Sequence, residues 1–253
     1  MVNKFDNNVF IYWIGYDYKL IKFLRGLIYH HSNKNKNYKV HLIDSNNLLD
    51  YLDKVPNYFF NLQPSHQADF IRVNVLYKYG GLWLDSDTIV MNDLSSLFDV
   101  IRKQNGFFIE QSDDKFNKKL CNGILGTIPG TELFYKWSEL LTKILNQKQD
   151  KIYWEEIGND ILKKFMENEP YLYKDYKFYD GVDNMYPVSW KTQKQEYLIK
   201  PYENWKNLVR DFQPLIILTN SVYKESENLT EFEILNKTPL SYFIRKSLTS
   251  QYE

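Results

Sequence analysis

The segment from Arg72 to Asp87 (RVNVLYKYGGLWLDSD) constrains this chain more than any other part of it. An apolar helical run stops at the glycine pair Gly80-Gly81, becomes a short apolar strand, and ends in two carboxylates, Asp85 and Asp87, separated by one small residue. In extended backbone, residues two apart point to the same side. The two acids are therefore expected to face each other and to repel unless a cation lies between them. An Asp-Ser-Asp turn in solvent is the bland alternative. It fits poorly between Gly-Gly-Leu-Trp-Leu on one side and Thr-Ile-Val-Met on the other. Carboxylate oxygens suit Mg²⁺ or Mn²⁺, which keep open positions for phosphate oxygens and water.

The rest of the chain is read around this segment. Residues 9–14 (VFIYWI), closed by Gly15, form a short β-branched and aromatic run expected to be a buried strand. Residues 20–29 place Leu20, Phe23, Leu24, Leu27 and Ile28 on one helical face, and His30-His31 is expected to end that helix. Residues 38–43 follow as a second strand, so the chain opens β-α-β, which favours an α/β sheet with parallel strands. Residues 45–52 read as helical. Pro64 opens a central helix that runs to Tyr79 and is capped by Gly80. Further strands are expected at 82–84, 88–91, 106–110, 122–128 and 214–219, and helices at 132–145, 154–166 and 239–248. Residues 169–186 read as irregular. No repeat or low-complexity linker divides the 253 residues. One domain is expected, with residues 1–128 as its ligand-binding front and 129–253 as an acceptor-side back.

Composition narrows the partners. Lys plus Arg and Asp plus Glu number 32 each, so no charge excess favours nucleic acid. The single cysteine, Cys121, excludes a disulfide framework, and the start of the chain carries no apolar leader-like run. A cytoplasmic protein is expected, with peripheral contact at the inner face of a membrane compatible with that. The 21 Tyr and 6 Trp add rings suited to stacking on sugars and bases, although most such rings simply pack. The four histidines (His30, His31, His41, His66) all precede the acid pair and form no ligand motif.

Within the central helix, Asp69 and Arg72 stand three apart on one face of an otherwise apolar segment. Two readings stand side by side: a salt bridge that pins the helix, or a carboxylate for sugar hydroxyls with an arginine that orients it or meets phosphate.

Taken together, Ala68-Asp69, Arg72, Leu76-Tyr77 and Tyr79 through Asp87 resemble the DXD sugar transferases of glycosyltransferase family 32 and the related capsular-polysaccharide synthesis proteins. The same pattern occurs in the large clostridial glucosylating toxins. The run from Ile11 to Gly15 is similar to the first strand of that group. The resemblance implies a GT-A fold with a mostly parallel central sheet flanked by helices. It also implies a nucleotide-diphosphate sugar donor (a UDP-sugar, or a GDP-sugar), a divalent Mn²⁺ or Mg²⁺ ion, retention of anomeric configuration, and a glycan or lipid-linked saccharide as acceptor. It assigns Trp13 to the base, Asp69 and Arg72 to the donor sugar, Asp85 to ribose or sugar and the metal shell, Asp87 to the metal, and Asn122 to the reaction centre. Many relatives close the metal site with a late histidine. Here the late strand reads LIILTNSVY over residues 215–223, without one, and Thr219, Asn220 or Ser221, or the pair Ser189-Trp190, would have to serve. A protein acceptor, or a degenerate sugar-binding protein, are the alternatives. Specificity is expected to reside in residues 113–125 and 169–195.

Overall fold

The computed structural model describes residues 5–35, 38–111, 119–147, 151–185, 187–208 and 214–249. The strands are β1 (Asn8–Tyr12), β2 (Lys39–Ile43), β3 (Gly81–Leu84), β4 (Thr88–Val90), β5 (Gly106–Gln111), β6 (Lys119–Thr127), β7 (Tyr176–Asp180) and β8 (Leu215–Ile217). The helices are α1 (Lys19–Asn35), α2 (Leu48–Tyr51), α3 (Pro64–Tyr79), α4 (Ser95–Lys103), α5 (Glu132–Gln147), α6 (Asn159–Asn168), α7 (Gly181–Asn184), α8 (Asn220–Ser226), α9 (Glu231–Asn236) and α10 (Pro239–Thr249).

Six strands form one sheet in the order β2-β1-β3-β6-β5-β7, and β4 pairs with β8 in a small second sheet. The β2-β1-β3 pairs and the β5-β7 pair are parallel. Strand β6 pairs antiparallel with both β3 and β5, so within this sheet it alone runs against the other strands. The expectation of a mostly parallel α/β sheet is met.

Both faces of this sheet are covered, which is why its strands are apolar without interruption. On one face Phe10, Tyr12, Trp83, Phe108 and Leu125 pack with α3, α5 and α6. On the other, Val9, Ile11, Leu82, Leu84, Phe107, Ile109 and Ile124 pack with α4. Successive residues alternate between the two faces, as the strand period requires. A third cluster joins α1, α8, α9 and α10 to the β4-β8 pair through Leu20, Leu24, Ile89, Ile216, Val222 and Phe243.

Helix α3 lies inside this arrangement, with residues buried around its circumference, including His66, Gln67, Asp69, Phe70, Arg72, Val73 and Leu76. It starts with Pro64 in the first turn and stops where Gly80, at φ +65°, donates its N–H to the Leu76 carbonyl. Gly81 follows at φ +112°, and a Cβ there would collide with the Asn8 carbonyl oxygen of β1. The glycine pair thus lets the chain leave a buried helix and enter the sheet beside β1 in two residues.

Several expectations are corrected. Residues 45–52 hold only the single-turn α2, because Asp44 and Asn47 close a side-chain-bonded turn ahead of it. His30-His31 does not end α1, which continues to Asn35; the His31 ring is buried 3.1 Å from Ser247 Oγ of α10. Helix α6 begins at Asn159, since residues 154–158 are turn. The stretch 169–186 contains the edge strand β7, a 3-10 turn (Pro170–Tyr173) and α7. Helices α4, α8 and α9 were not anticipated. No helix among the described residues is long and apolar enough to cross a membrane.

Replacing Gly81 by alanine combines a left-handed backbone with a backbone collision and is expected to cost about 2–4 kcal/mol. Gly130, at φ +72° with open space around it, is the control. Gly130→Ala is expected to cost about 1–2 kcal/mol. Urea denaturation of the two variants against the parent checks both values.

Candidate active site

The residues singled out in the sequence converge where the parallel strands end. β1 leads into Trp13, β3 leads into Asp85, and the reversed strand β6 brings Asn122 alongside. The carboxyl edge of such a sheet is where α/β proteins bind ligands.

Arg72 is the centre of the cluster. From the buried face of α3 its guanidinium donates to the Asn122 backbone carbonyl and, at 3.1 Å, to Asp85 Oδ1. It lies 3.4 Å from Asp69 Oδ1, and its Cζ stands 5.2 Å from the Trp83 ring centre. Trp83 Nε1 donates to the same Asp85 Oδ1 at 2.8 Å. The Asn122 amide donates to Asp69 Oδ1 at 2.8 Å, so Asn122 is joined to Arg72 by its backbone and to Asp69 by its side chain. The ion pair of Asp69 with Arg72 exists, and Arg72 carries it on to Asp85.

Asp85 and Asp87 are not in extended strand. β3 ends at Leu84, and the Asp85 carbonyl accepts from Thr88 N–H at 3.1 Å, making a turn. Ser86 points inward instead, its hydroxyl donating to the Tyr12 carbonyl at 2.9 Å. The carboxylates still interact, because the charge of Asp85 helps to raise the proton affinity of Asp87.

Two carboxyls thus meet one guanidinium and Asp87 follows close behind them, and all three hold protons more tightly than usual. Burial is the largest cause for each. It pushes Asp69 up to about 7 against the pull of Arg72, raises Asp85 likewise, and with the Asp85 charge lifts Asp87 well above the carboxylate range. Asp69 keeps 8% of its side chain open to solvent, whereas 32% of the Asp85 side chain is open. Asp85 therefore forms the accessible floor of the cluster, surrounded by protein but reachable from outside.

Two glycines keep this floor clear, and sequence reasoning did not single out either. A Cβ at Gly123 would lie 2.6 Å from Asp85 Oδ2, and one at Gly158 would lie 2.6 Å from Asn122 Nδ2. Gly123 adjoins Asn122 in the sequence, a signal that was there to use; Gly158 carries none. Trp83, which orients Asp85, was not singled out either.

Trp13 is half-buried. Its Nε1 donates to the Tyr16 carbonyl at 3.2 Å, and its ring meets the edges of Tyr18 and Tyr223 at 6.3 and 5.9 Å. Burial raises the proton affinity of the Tyr223 hydroxyl, and the charges of Asp87, Tyr18 and Asp85 add to it. Asn220 and Ser221 begin α8, just past Leu218, whose N–H donates to the Asp87 carbonyl at 3.0 Å. Ser221 Oγ lies 2.8 Å from Thr219 Oγ1, and Gln193 receives the Thr219 N–H at 2.8 Å. Of the expected specificity segment 113–125, residues 113–118 lie outside the described residues and 119–125 are part of β6. A separate cleft of about 800 Å³, lined by Phe10, His41, Tyr51, Tyr79 and Arg102, opens at the opposite ends of β1 and β2 and shares no residue with the acid cluster.

Residues 2–206 match the family described as capsular polysaccharide synthesis protein. The chain belongs to this family. A 38-residue stretch is 53% identical to an uncharacterised protein of Arabidopsis thaliana, covering 15% of this chain and 6% of that one. In fold, this family member is similar to a glycosyltransferase involved in the glycosylation of the major capsid of PBCV-1. The TM-score is 0.52 at 11% identity, over 88% of this chain and 100% of the other. The glycosyltransferase GlyE of Streptococcus pneumoniae TIGR4 gives a TM-score of 0.48 at 14% identity, over 97% of this chain and 64% of that one. By family the chain is a capsular polysaccharide synthesis protein, and its fold is that of a solved glycosyltransferase.

Two outcomes follow. A carboxyl with a raised folded value contributes stability below its unfolded value, about 4, and loses it as pH rises through its folded value. In chelator, stability is therefore expected to fall as pH rises from about 4 through about 7. Asp69→Asn should flatten that fall by about 1 kcal/mol or more, a few degrees in calorimetric Tm. Gly158→Ala should displace the Asn122 amide from Asp69 and lower turnover about 10–100-fold while costing under about 1 kcal/mol of stability. Steady-state rates and melting curves of the one variant separate these effects.

Proposed function

We propose that this enzyme transfers a sugar from a nucleotide-diphosphate sugar to a glycan acceptor in surface polysaccharide synthesis, with retention of anomeric configuration and with Mn²⁺ or Mg²⁺ at the Asp85–Asp87 pair. The observation that carries the reading is the charge imbalance of the cluster: Arg72 pairs with both Asp69 and Asp85, Asp87 adds a third carboxyl against the Asp85 charge, and each is held above its ordinary proton affinity. Such a site gains from a cation that enters with its ligand.

The residues fit a hard divalent ion. The donors are carboxylate oxygens. Asp85 Oδ1 is already engaged by Arg72 and Trp83, whereas the hydrogen bond that lowers the Asp87 value comes from its own backbone. Among the described residues no group of three His, Cys, Asp or Glu side chains could hold a metal ion by itself. Mg²⁺-type ions are commonly held by one or two carboxylates together with substrate phosphates, and the acid pair suits that arrangement. When bound, the ion would neutralise charge on the departing diphosphate.

The chain's own residues would then divide the work. Trp13, set among Tyr18 and Tyr223, offers an indole edge and face to the base. Asp69, fixed by Asn122 and Arg72, accepts hydrogen bonds from donor-sugar hydroxyls. Asn122 spans the gap between that carboxylate and Gly158. Asn220 and Ser221, at the start of α8 beside Asp87, are the oxygen groups available to complete the ion's surroundings. The reaction breaks the sugar C1–oxygen bond to phosphate and forms a C1–oxygen bond to the acceptor hydroxyl, whose proton leaves toward the departing phosphate.

The test is Mn²⁺-dependent hydrolysis or transfer across a panel of UDP- and GDP-sugars. Asp87→Asn is expected to lower the rate at least about 1,000-fold with the fold intact by circular dichroism. An Asp87→Asn protein that turns over at the parental rate contradicts the proposal.

A further inference from the structure

We propose that Trp154, with Tyr153 beside it, is the stacking platform on which the acceptor's pyranose ring lies. This rests on the glycan-transfer reading above. It concerns the side of the site that the acid cluster leaves undefined.

Trp154 is 66% exposed and Tyr153 62%, so two adjacent large rings face solvent. Exposed aromatics occur elsewhere, but each of those is tied into its own surface. Tyr16 bonds Glu227, Phe60 meets Phe59 edge-on, Tyr135 packs on Tyr77, Tyr171 bonds Lys136, Trp190 lies under Lys191, and Phe232 lies under Lys237. The Tyr153-Trp154 pair differs in where it stands. Gly158, four residues on, packs against both Asn122 and the Asp69 carboxylate. The Trp154 ring centre is 6.2 Å from that of His66, which precedes Asp69 by one helical turn on α3. Side chains so spaced on a helix are about 5–6 Å apart, which puts the indole a sugar ring or two from Asp69.

The platform is also held still. The His66 ring against which Trp154 rests is itself buried in α3. Glu155 is gripped by Lys119 of β6 at 2.9 and 3.0 Å, Ile157 is buried, and its carbonyl receives Trp137 Nε1 at 3.4 Å. A turn fixed at these points presents its rings in constant register with the donor site, so an acceptor docking there loses little to loop ordering. Tyr and Trp give broad, rigid, amphipathic contact area at low entropic cost. A pyranose matches them, because its C–H face covers an indole while its hydroxyls reach the surrounding water and the Lys119–Glu155 pair.

The experiment compares the full chain with Trp154→Ala and Trp154→Phe, using methyl α- and β-hexopyranosides as probes. Saturation-transfer NMR in the absence of donor is expected to show the parent protein marking the ring protons of at least one glycoside. The signal should fall about fivefold or more in Trp154→Ala and return in Trp154→Phe. With donor and Mn²⁺ present, Trp154→Ala is expected to raise the KM for that glycoside about 10-fold while kcat changes far less. Equal saturation transfer in the parent and Trp154→Ala, or none from the parent to any glycoside, overturns the proposal. A parent protein that neither hydrolyses nor transfers any nucleotide sugar defeats the donor reading instead, and the NMR comparison decides the platform independently of it.

Discussion

One guanidinium holds the functional end of this molecule together. Arg72 reaches from a helix buried on all sides to the backbone of β6, to the acid that ends β3, and to Asp69 one turn back on its own helix. A buried cation with these partners is costly to strip of any of them, because the groups left behind keep their charge without compensation. Lysine could not substitute, since the planar fork meets a carbonyl and a carboxylate at once and rests over Trp83. Helix, strand and reversed strand are thereby fixed relative to one another at the point where the cleft opens.

The fold delivers these groups by ordinary means. Gly80 and Gly81 turn a buried helix into the sheet beside β1 within two residues, so Arg72 and Asp85 lie on adjoining elements. Reversal of β6 carries Asn122 to the same edge. Gly123 and Gly158 keep side chains out of the space between the acids and the amide. The resulting surplus of negative charge is a stability cost to the bare protein, and it is the property that the proposed cation and diphosphate would use.

How much of this was legible in the sequence depended on range. The central helix, its glycine cap, the opening β-α-β unit and the terminal helix followed from periodicity and capping, because those signals are local. The mutual wiring of Asp69, Arg72, Asp85 and Asn122 was half legible. Spacing joined the first two, but nothing local could show that the carbonyl of Asn122 meets Arg72 across 50 positions. The strand β7 was missed because Lys177 and Asp180 break an apolar pattern at a sheet edge, where one side needs no burial. Reading 85–87 as extended backbone was wrong in conformation, since Thr88 closes a turn on Asp85, although the proximity of the two acids survived. Gly158 and Trp154 stand in a segment read as helix, which obscured both the clearance that one provides and the surface that the other presents.

The central claim is that the Arg72-centred acid cluster is a diphosphate site completed by a divalent cation. Calorimetric titration of UDP and of GDP into the protein, once with Mn²⁺ and once with chelator, tests it most directly. The account predicts saturable binding of one nucleotide with Mn²⁺ and its loss in chelator. Binding of equal strength in chelator, or none of either nucleotide with Mn²⁺, would contradict it.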